Sequence, residues 1–302
     1  MTKPKAVMIV GQTSSGKSAL AVALAERLNG EVISADSRQV YRELNLSVGK
    51  TTLAEQAGIP HHLLDIVGLD TVYTGADFVR DASLALAQIT EASKLPIVAG
   101  GTFFYTELLQ GKKTFAPVSP NLALRAELER AETTTLFERL RQVDPRRAST
   151  IDRFNRPRLI RALEIAKTKE NHPTTAKNPS SFPDYDWLTL GIKIEPELLH
   201  QRIEARLKTR LQAGLVEEVK TLLDNGIPPT RLYSLGLEIR YTTQYLLGEI
   251  SYDDLLPILL TKNRQFAKRQ QTWLKKDQSI VWLDFPVDLE RAEKLVRDFF
   301  AS

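Results

Sequence analysis

The chain has 302 residues, 42% of them hydrophobic and 26% charged, with a formal net charge of +4, enough for one large core or one core with a smaller appended domain. It contains no cysteine, which excludes disulfides, thiolate catalysis and cysteine zinc sites, and its four histidines form no metal-ligand cluster. No apolar run approaches the length that crosses a bilayer, and Met1-Thr2-Lys3-Pro4-Lys5 enters a strand instead of an apolar leader, so no membrane association and a cytoplasmic location are expected.

The apolar run Ala6 to Val10 predicts a strand, followed by Gly11-Gln12-Thr13-Ser14-Ser15-Gly16-Lys17-Ser18 and a helical pattern from Ser18 to Leu28. A strand, a glycine loop ending in Gly-Lys-Ser and a helix form the context of a phosphate-binding loop. The glycines allow a tight wrap, backbone N–H groups point into an anion cavity, and the helix N-terminus adds its dipole. Lys17 brings a mobile positive charge, and the Ser18 hydroxyl can reach a magnesium ion. The loop grips a pyrophosphate-like group without saying what carries it.

A second strand is predicted over Glu31 to Ala35, a helix over Thr74 to Thr90, and a third strand over Leu95 to Ala99, opening into Gly100-Gly101-Thr102. Strand and helix alternate as in a P-loop NTPase-like parallel α/β sheet with flanking helices, which places Asp36 and Thr102 beside the crevice of Lys17. From Pro120 to Lys169 the pattern is helical with a turn at Asp144-Pro145, and Asn171 to Pro183 reads as a linker. A strand at Trp187 to Ile194 returns to the sheet. Helices over Glu197–Asn225, Ser234–Leu247 and Ser251–Lys275 follow, then a strand at Ile280 to Asp284 and a closing helix. The expected organisation is a core of residues 1–114 and 186–302 with helical C-terminal elements, interrupted by a helical insertion over 115–185.

The charge is unevenly spread. Arg139 to Lys169 carries ten Lys/Arg against three Asp/Glu, and Lys262 to Lys276 carries six against none. Such excess suits a phosphate backbone, although either stretch alone can be a solvated helix face. In Asp36-Ser37-Arg38-Gln39-Val40-Tyr41, a carboxylate at a strand end can take a proton or hold metal-bound water, or it can simply cap the next turn. The Gln39 amide suits a base edge. Arg202, Arg206 and Arg210 share one helix side, where they can bind phosphate or pair with Glu197 or Glu204. Phe266 and Trp273, within Arg264–Trp273, serve either the core or a ligand.

Together Gly11–Ser18, Asp36–Tyr41, Pro60-His61-His62-Leu63-Leu64-Asp65-Ile66, Gly100-Gly101-Thr102, Arg161-Ala162-Leu163-Glu164 and Arg264–Trp273 resemble the bacterial tRNA dimethylallyltransferase (tRNA isopentenyltransferase) family over nearly the whole chain. The resemblance implies transfer of a dimethylallyl group from dimethylallyl diphosphate to N6 of the adenosine next to the anticodon, in tRNAs reading codons that begin with U. It implies Mg²⁺ as cofactor, a tRNA anticodon stem-loop as partner and a monomer. Asp36 matches the general base; Ser18 and Arg206 join it as catalytic residues, with Ser18 near the metal. Gly11, Thr13, Ser14, Ser15, Gly16, Lys17, Ser18, Thr102 and Arg206 match the diphosphate grip. Asp36, Ser37, Arg38, Gln39, Arg158, Arg161, Arg264, Lys268 and Arg269 match the tRNA side, and the insertion matches a domain that embraces the anticodon stem.

The chain departs from the family pattern in three places. Arg42-Glu43-Leu44-Asn45-Leu46-Ser47-Val48-Gly49-Lys50-Thr51 keeps only part of the usual Arg-Gly-(Leu/Met)-Asp-Ile-Gly-Thr-Ala-Lys-Pro. Phe154-Asn155-Arg156-Pro157-Arg158 stands for Asn-Asp-Pro-Gln-Arg, and Gly236-Leu237-Glu238-Ile239 for Gly-Tyr-(Lys/Arg)-Glu, which would reverse a charge if Glu238 faced RNA. The other readings are a P-loop kinase acting on a nucleoside or small metabolite, and a tRNA-binding paralogue with weak or lost activity.

Overall fold

A computed structural model describes residues 3–114, 118, 121–171 and 184–302. Its contacts divide the chain into two compact units, Met1–Lys113 with Phe182–Ser302, and Thr114–Ser181. The first unit opens with β1 (Lys5–Gly11), α1 (Lys17–Arg27), β2 (Gly30–Ser34), α2 (Leu53–Gln56), β3 (His61–His62), α3 (Gly75–Glu91), β4 (Leu95–Gly100) and α4 (Phe103–Leu109). The second unit holds α5 (Leu122–Leu128), α6 (Thr133–Val143), α7 (Pro145–Ala148) and α8 (Arg156–Asn171). The first resumes with β5 (Asp186–Lys193), α9 (Pro196–Gln212), α10 (Leu215–Asp224), α11 (Pro229–Tyr233), α12 (Leu237–Leu246), α13 (Tyr252–Leu274), β6 (Ile280–Asp284) and α14 (Leu289–Ala301).

The six strands form one parallel sheet in the order β3-β2-β4-β1-β5-β6. β1 is central and covered on both faces, which is why Ala6 to Val10 is an unbroken apolar run and not an alternating one. One face, including Val7, Ile9, Val32, Ile97 and Leu190, packs with Leu20, Leu24, Ala292 and Val296 of α1 and α14. α3 lies against β2 and β4, and α13 against β1. From β1 the chain moves to β2 and β3 on one side, and later adds β5 and β6 on the other. That arrangement leaves a crevice at the C-terminal ends of β1 and β4.

The second unit has its own small core of Leu124, Leu128, Leu136, Leu140, Leu159, Ile160 and Leu163. At its centre the fully buried Glu164 accepts from Asn121 N at 2.5 Å and from the Arg125 guanidinium at 2.9 and 3.0 Å, and it also pairs with Arg161. Burial alone would push this carboxyl up. The three donors outweigh it and hold the group down at about 2.

Several local features differ from the sequence expectations. The turn at Asp144-Pro145 is the start of α7, with the Asp144 side chain capping Arg147 N at 2.9 Å. The 197–225 segment, expected as one or two helices, is two, broken at Gly214, whose φ of 103° suits glycine. The two-residue β3 and the short α2 and α11 carry too little periodicity to be read from sequence. The linker stretch lies, after Asn171, outside the described residues.

Crowding is greatest where β4 meets the end of β2. A Cβ on Gly100 would collide with the Ala35 carbonyl. Gly100→Ala should therefore cost at least about 2 kcal/mol of stability, read as a lower urea midpoint at unchanged slope.

Candidate active site

The loop between β1 and α1 is held open by left-handed backbone at Ser14 (φ 60°) and Gly16 (φ 99°), and closed by Ser15 N donating to the Gln12 carbonyl at 3.2 Å. Gly16 precedes α1 without a side-chain cap, so the N–H groups of the first helical turn are not satisfied by a cap. The Ser15 hydroxyl is buried without a hydrogen-bond partner. Together these donors form an anion cradle.

Lys17 Nζ donates to the Gln12 carbonyl at 2.7 Å. Enclosure of the ammonium, with Arg206 adding repulsion, pushes the Lys17 pKa down to about 8, while Asp36 pulls the other way. The loop is tied to elements far away in sequence. Thr13 N donates to Gln270 Oε1 at 2.7 Å, Gln270 Nε2 donates to the Gly101 carbonyl at 3.1 Å, and Gln12 Nε2 to the Ala267 carbonyl at 3.0 Å. Arg202 Nε donates to the Ser14 carbonyl at 2.8 Å, with its guanidinium 4.5 Å from the Phe285 ring centre.

Asp36 follows β2. Its Oδ1 accepts from Arg38 N at 2.8 Å and from Gln39 N at 3.4 Å, so one oxygen caps a turn and no hydrogen bond is recorded to the other. The capping reading of this residue is thus observed, and it occupies a single oxygen of the carboxylate. Ser37 N donates to Thr102 Oγ1 at 3.3 Å, joining the ends of β2 and β4. Arg38 is pushed below the ordinary arginine range by burial, against the pull of Asp36, Tyr41 and Tyr105.

Two side chains converge on the Gly49 carbonyl, Gln39 Nε2 at 3.3 Å and Arg206 Nη2 at 2.8 Å. Gly49 has φ of 59°, and a side chain there would strike Arg206. Desolvation and Arg210 push Arg206 below the ordinary arginine value, while Glu238, Glu55 and Asp36 pull it up. Arg210 donates to the Leu46 carbonyl at 3.1 Å and pairs with Glu238 at 3.1 Å. The acids of α9 behave otherwise than the sequence allowed: Glu204 takes Lys208 at 2.8 Å and Arg264 at 3.6 Å.

The remaining sequence candidates scatter. Ser18 is exposed on the first turn of α1. Lys268 and Arg269 are exposed on α13, and Arg264 is half-buried. Phe266 and Trp273 are 38% and 43% exposed, so the buried residues of this helix segment are instead Asn263, Ala267, Gln270 and Leu274. In the second unit Arg158 is exposed, whereas Arg161 is engaged by Glu164 and donates to the Val118 carbonyl at 2.7 Å.

Sequence reading missed Gln270 and Glu218. The Glu218 carboxylate accepts from Asn45 N at 3.1 Å, Leu46 N at 2.8 Å, Ser47 N at 3.0 Å and Ser47 Oγ at 2.5 Å, pinning the segment that presents Gly49. The 4-3-4 spacing of Asn263, Ala267, Gln270 and Leu274 was the available signal for Gln270.

A model of the IPP transferase family matches residues 39–277. The chain belongs to that family. It is 40% identical over 287 residues to tRNA dimethylallyltransferase 2 of Shewanella sediminis, covering 94% of each chain, and 41% identical over 276 residues to tRNA dimethylallyltransferase 2 of Treponema denticola, covering 91% of this chain and 92% of that one. Among solved structures it resembles the tRNA isopentenylpyrophosphate transferase of Bacillus halodurans, with a TM-score of 0.72 at 33% identity over 99% of this chain and 96% of that one. It also resembles a eukaryotic dimethylallyltransferase acting on tRNA, with a TM-score of 0.80 at 28% identity over 99% of this chain and 80% of that one. The parallel α/β sheet with helical insertion and C-terminal helices is the architecture of these relatives. The family match begins at Gln39, past the phosphate loop, while the structural matches span nearly the whole chain.

The enclosed ammonium gives the site a pH signature. An anion binds the charged form of Lys17, and that form is depleted as pH rises through about 8. The part of the affinity for inorganic diphosphate that depends on Lys17 should be nearly flat on the acid side and fall roughly tenfold per pH unit on the alkaline side, superimposed on the ligand's own titration. Calorimetry on wild type and on Lys17→Arg, which does not titrate in this range, should show that component of the slope only in wild type.

Proposed function

We propose that this protein transfers a dimethylallyl group from dimethylallyl diphosphate to the exocyclic N6 of the adenosine next to the anticodon of tRNAs reading U-initial codons, releasing diphosphate. The observation that carries this reading is the pairing of an anion cradle around Lys17 with the uncapped oxygen of Asp36 at the same end of the sheet, one strand removed from β1. Membership of the IPP transferase family supports the same chemistry.

An adenine amine is a weak nucleophile because its lone pair is delocalised into the ring, so the leaving group must carry most of the assistance. The N6 lone pair forms a bond to the terminal allylic carbon as the carbon–oxygen bond breaks, and the electron pair leaves with the diphosphate. The loop N–H groups, the Ser15 hydroxyl, Lys17 and Arg206 stabilise that growing charge, and Gly11, Thr13, Ser14, Gly16 and Thr102 shape the grip. Asp36 takes the N6 proton on the oxygen not committed to its turn. The capping bonds to Oδ1 fix the carboxylate while leaving it a proton acceptor.

Magnesium fits this donor set in one way. Among the described residues no group of three or more His, Cys, Asp or Glu side chains could hold a metal ion. Mg²⁺ needs no such cage, because it keeps several waters and binds readily through substrate phosphates. The Ser18 hydroxyl, together with diphosphate oxygens, would hold it, and it would supply further charge neutralisation on the leaving group.

On the RNA side, Gln39 is the base-edge contact, with Ser37 and Arg38 around the target nucleotide. Arg264, Lys268 and Arg269 of α13 and Arg158 of the second unit serve as phosphate contacts, and Arg161, three residues after Arg158, is anchored by Glu164. Trapping a flipped adenosine is the expected mode for chemistry on a loop base. Among the described residues no helix is long and apolar enough to cross a membrane.

The test is incubation with labelled dimethylallyl diphosphate, Mg²⁺ and either unmodified tRNA or free AMP. Label should enter tRNA only; label in AMP alone, or in neither, would overturn the assignment. Asp36→Asn retains an oxygen for the turn and removes the base, so single-turnover transfer should fall by about 10²–10⁴ with tRNA affinity nearly unchanged. A rate near wild type would remove Asp36 from the mechanism.

A further inference from the structure

The second unit carries an aromatic ring that its own core does not use. Phe154 stands 74% exposed in the turn before α8, the most exposed aromatic side chain of the described residues. Its backbone is fixed: Phe154 N donates to Asp152 Oδ1 at 3.0 Å, Asn155 N to the Asp152 carbonyl at 3.0 Å, and Arg158 N to Asn155 Oδ1 at 3.3 Å. The Arg153 guanidinium lies 4.7 Å from the ring centre and so backs the ring with a cation.

A single exposed apolar side chain needs no explanation. This one differs in its surroundings. Arg146, Arg147, Arg153 and Arg158 are all exposed, and among the described residues none is in an ion pair. Asp152, two residues before the ring, has an oxygen engaged by the backbone. A held aromatic ring backed by Arg153, with exposed Arg158 four residues on and exposed Arg146 and Arg147 on the preceding α7, matches a ligand that combines negative charge with a flat π face. Nucleic acid with an unstacked base is that ligand, since base–aromatic stacking and phosphate contacts occur together in single-strand recognition.

We propose that Phe154, backed by Arg153, is a stacking platform for one unpaired base of the RNA substrate, with Arg146, Arg147 and Arg158 holding the adjoining phosphates. This rests on the reading of tRNA as substrate and adds to it a sequence-tolerant contact at a position where the chain departs from its family's Asn-Asp-Pro-Gln-Arg pattern. A ring reads the π face and not the hydrogen-bonding edge, so the platform would add affinity for loop nucleotides with little preference among bases. It would also discriminate a loop from a continuous duplex, whose bases are already stacked.

The experiment measures binding of an unmodified tRNA transcript and of a fully paired RNA duplex to the full chain, by fluorescence anisotropy across a salt series. Phe154→Ala should weaken tRNA binding roughly five- to a hundredfold and leave duplex binding unchanged. Phe154→Trp should keep wild-type affinity, and Phe154→Leu, which is apolar but has no π face, should not. The salt slope should be unaltered in Phe154→Ala and reduced by about one in Arg158→Ala. Equal tRNA affinity for Phe154→Ala and wild type, or full affinity for Phe154→Leu, would overturn the platform while leaving tRNA as substrate. Unchanged tRNA affinity with an altered sedimentation coefficient would assign the ring to a protein contact and also overturn it. Failure of wild type itself to bind tRNA would overturn both readings.

Discussion

An ammonium enclosed by protein and donating to a single carbonyl is an unfinished interaction, and the first unit is organised around that incompleteness at Lys17. Removing a cation from water is costly unless an opposite charge replaces the lost hydration. Here the free protein accepts the cost by lowering the Lys17 pKa to about 8, which leaves the site strongly complementary to an incoming anion. The cradle cannot relax around its charge because four separate elements hold it. β1 and α1 supply the backbone, α13 fixes the loop through Gln12 and Gln270, and α9 fixes it through Arg202. The sheet core beneath, with Val7, Ile9 and Ile97 fully buried, supplies the rigidity that keeps these donors aimed at one place.

The segment from Asn45 to Gly49 repeats this logic with the anion already supplied by the protein. Successive backbone N–H groups form a small nest, and the Glu218 carboxylate fills it from α10. Once pinned, the segment offers the Gly49 carbonyl to both Gln39 and Arg206. The departures from the family pattern read differently in this setting. Glu238 faces Arg210, its side chain 15% exposed, and neutralises it; the acidic side chain is an internal partner and not a charge displayed at the rim. Lys50 is likewise spent internally, on the Tyr41 carbonyl and Asp65. The altered loop thus remains anchored at Gly49 by both Gln39 and Arg206.

What the sequence disclosed and what it withheld divide by range. The strand–loop–helix at Gly11–Ser18, the strand ending before Asp36 and the turn at Gly100-Gly101-Thr102 are local patterns whose geometry follows from a few adjacent residues. The alternation of strands and helices gave the parallel sheet for the same reason. Gln270 and Glu218 were not legible as site residues because their partners lie some 170 to 260 positions away, and nothing in an amide or a carboxylate marks which distant N–H it will meet. Spacing alone did not reveal that Asp36 caps its turn with one oxygen only, because a carboxylate at a strand end can spend one oxygen or both on neighbouring N–H groups. The aromatic residues of α13 were ambiguous because an amphipathic pattern does not say whether a ring at the edge of the buried face is covered.

A phosphate loop in a prenyl-transferring family has a consequence for specificity. In phosphoryl transfer the gripped phosphorus is itself the reacting centre, so the loop contacts what is transferred. In the reaction proposed here the loop holds only the leaving group, and the reacting carbon projects beyond it. The grip can therefore stabilise departure without discriminating the acceptor. Acceptor choice must come from residues outside the cradle: Asp36 for the proton, Gln39 for the base, and basic and aromatic side chains for the RNA around it. Asp36 apart, those outer contacts add affinity for the acceptor independently of bond cleavage, so a change in one of them leaves the departure of the diphosphate untouched. That separation explains how the chain can keep Gly11–Ser18, Asp36 and Thr102 intact while Phe154-Asn155-Arg156-Pro157-Arg158 has been rewritten.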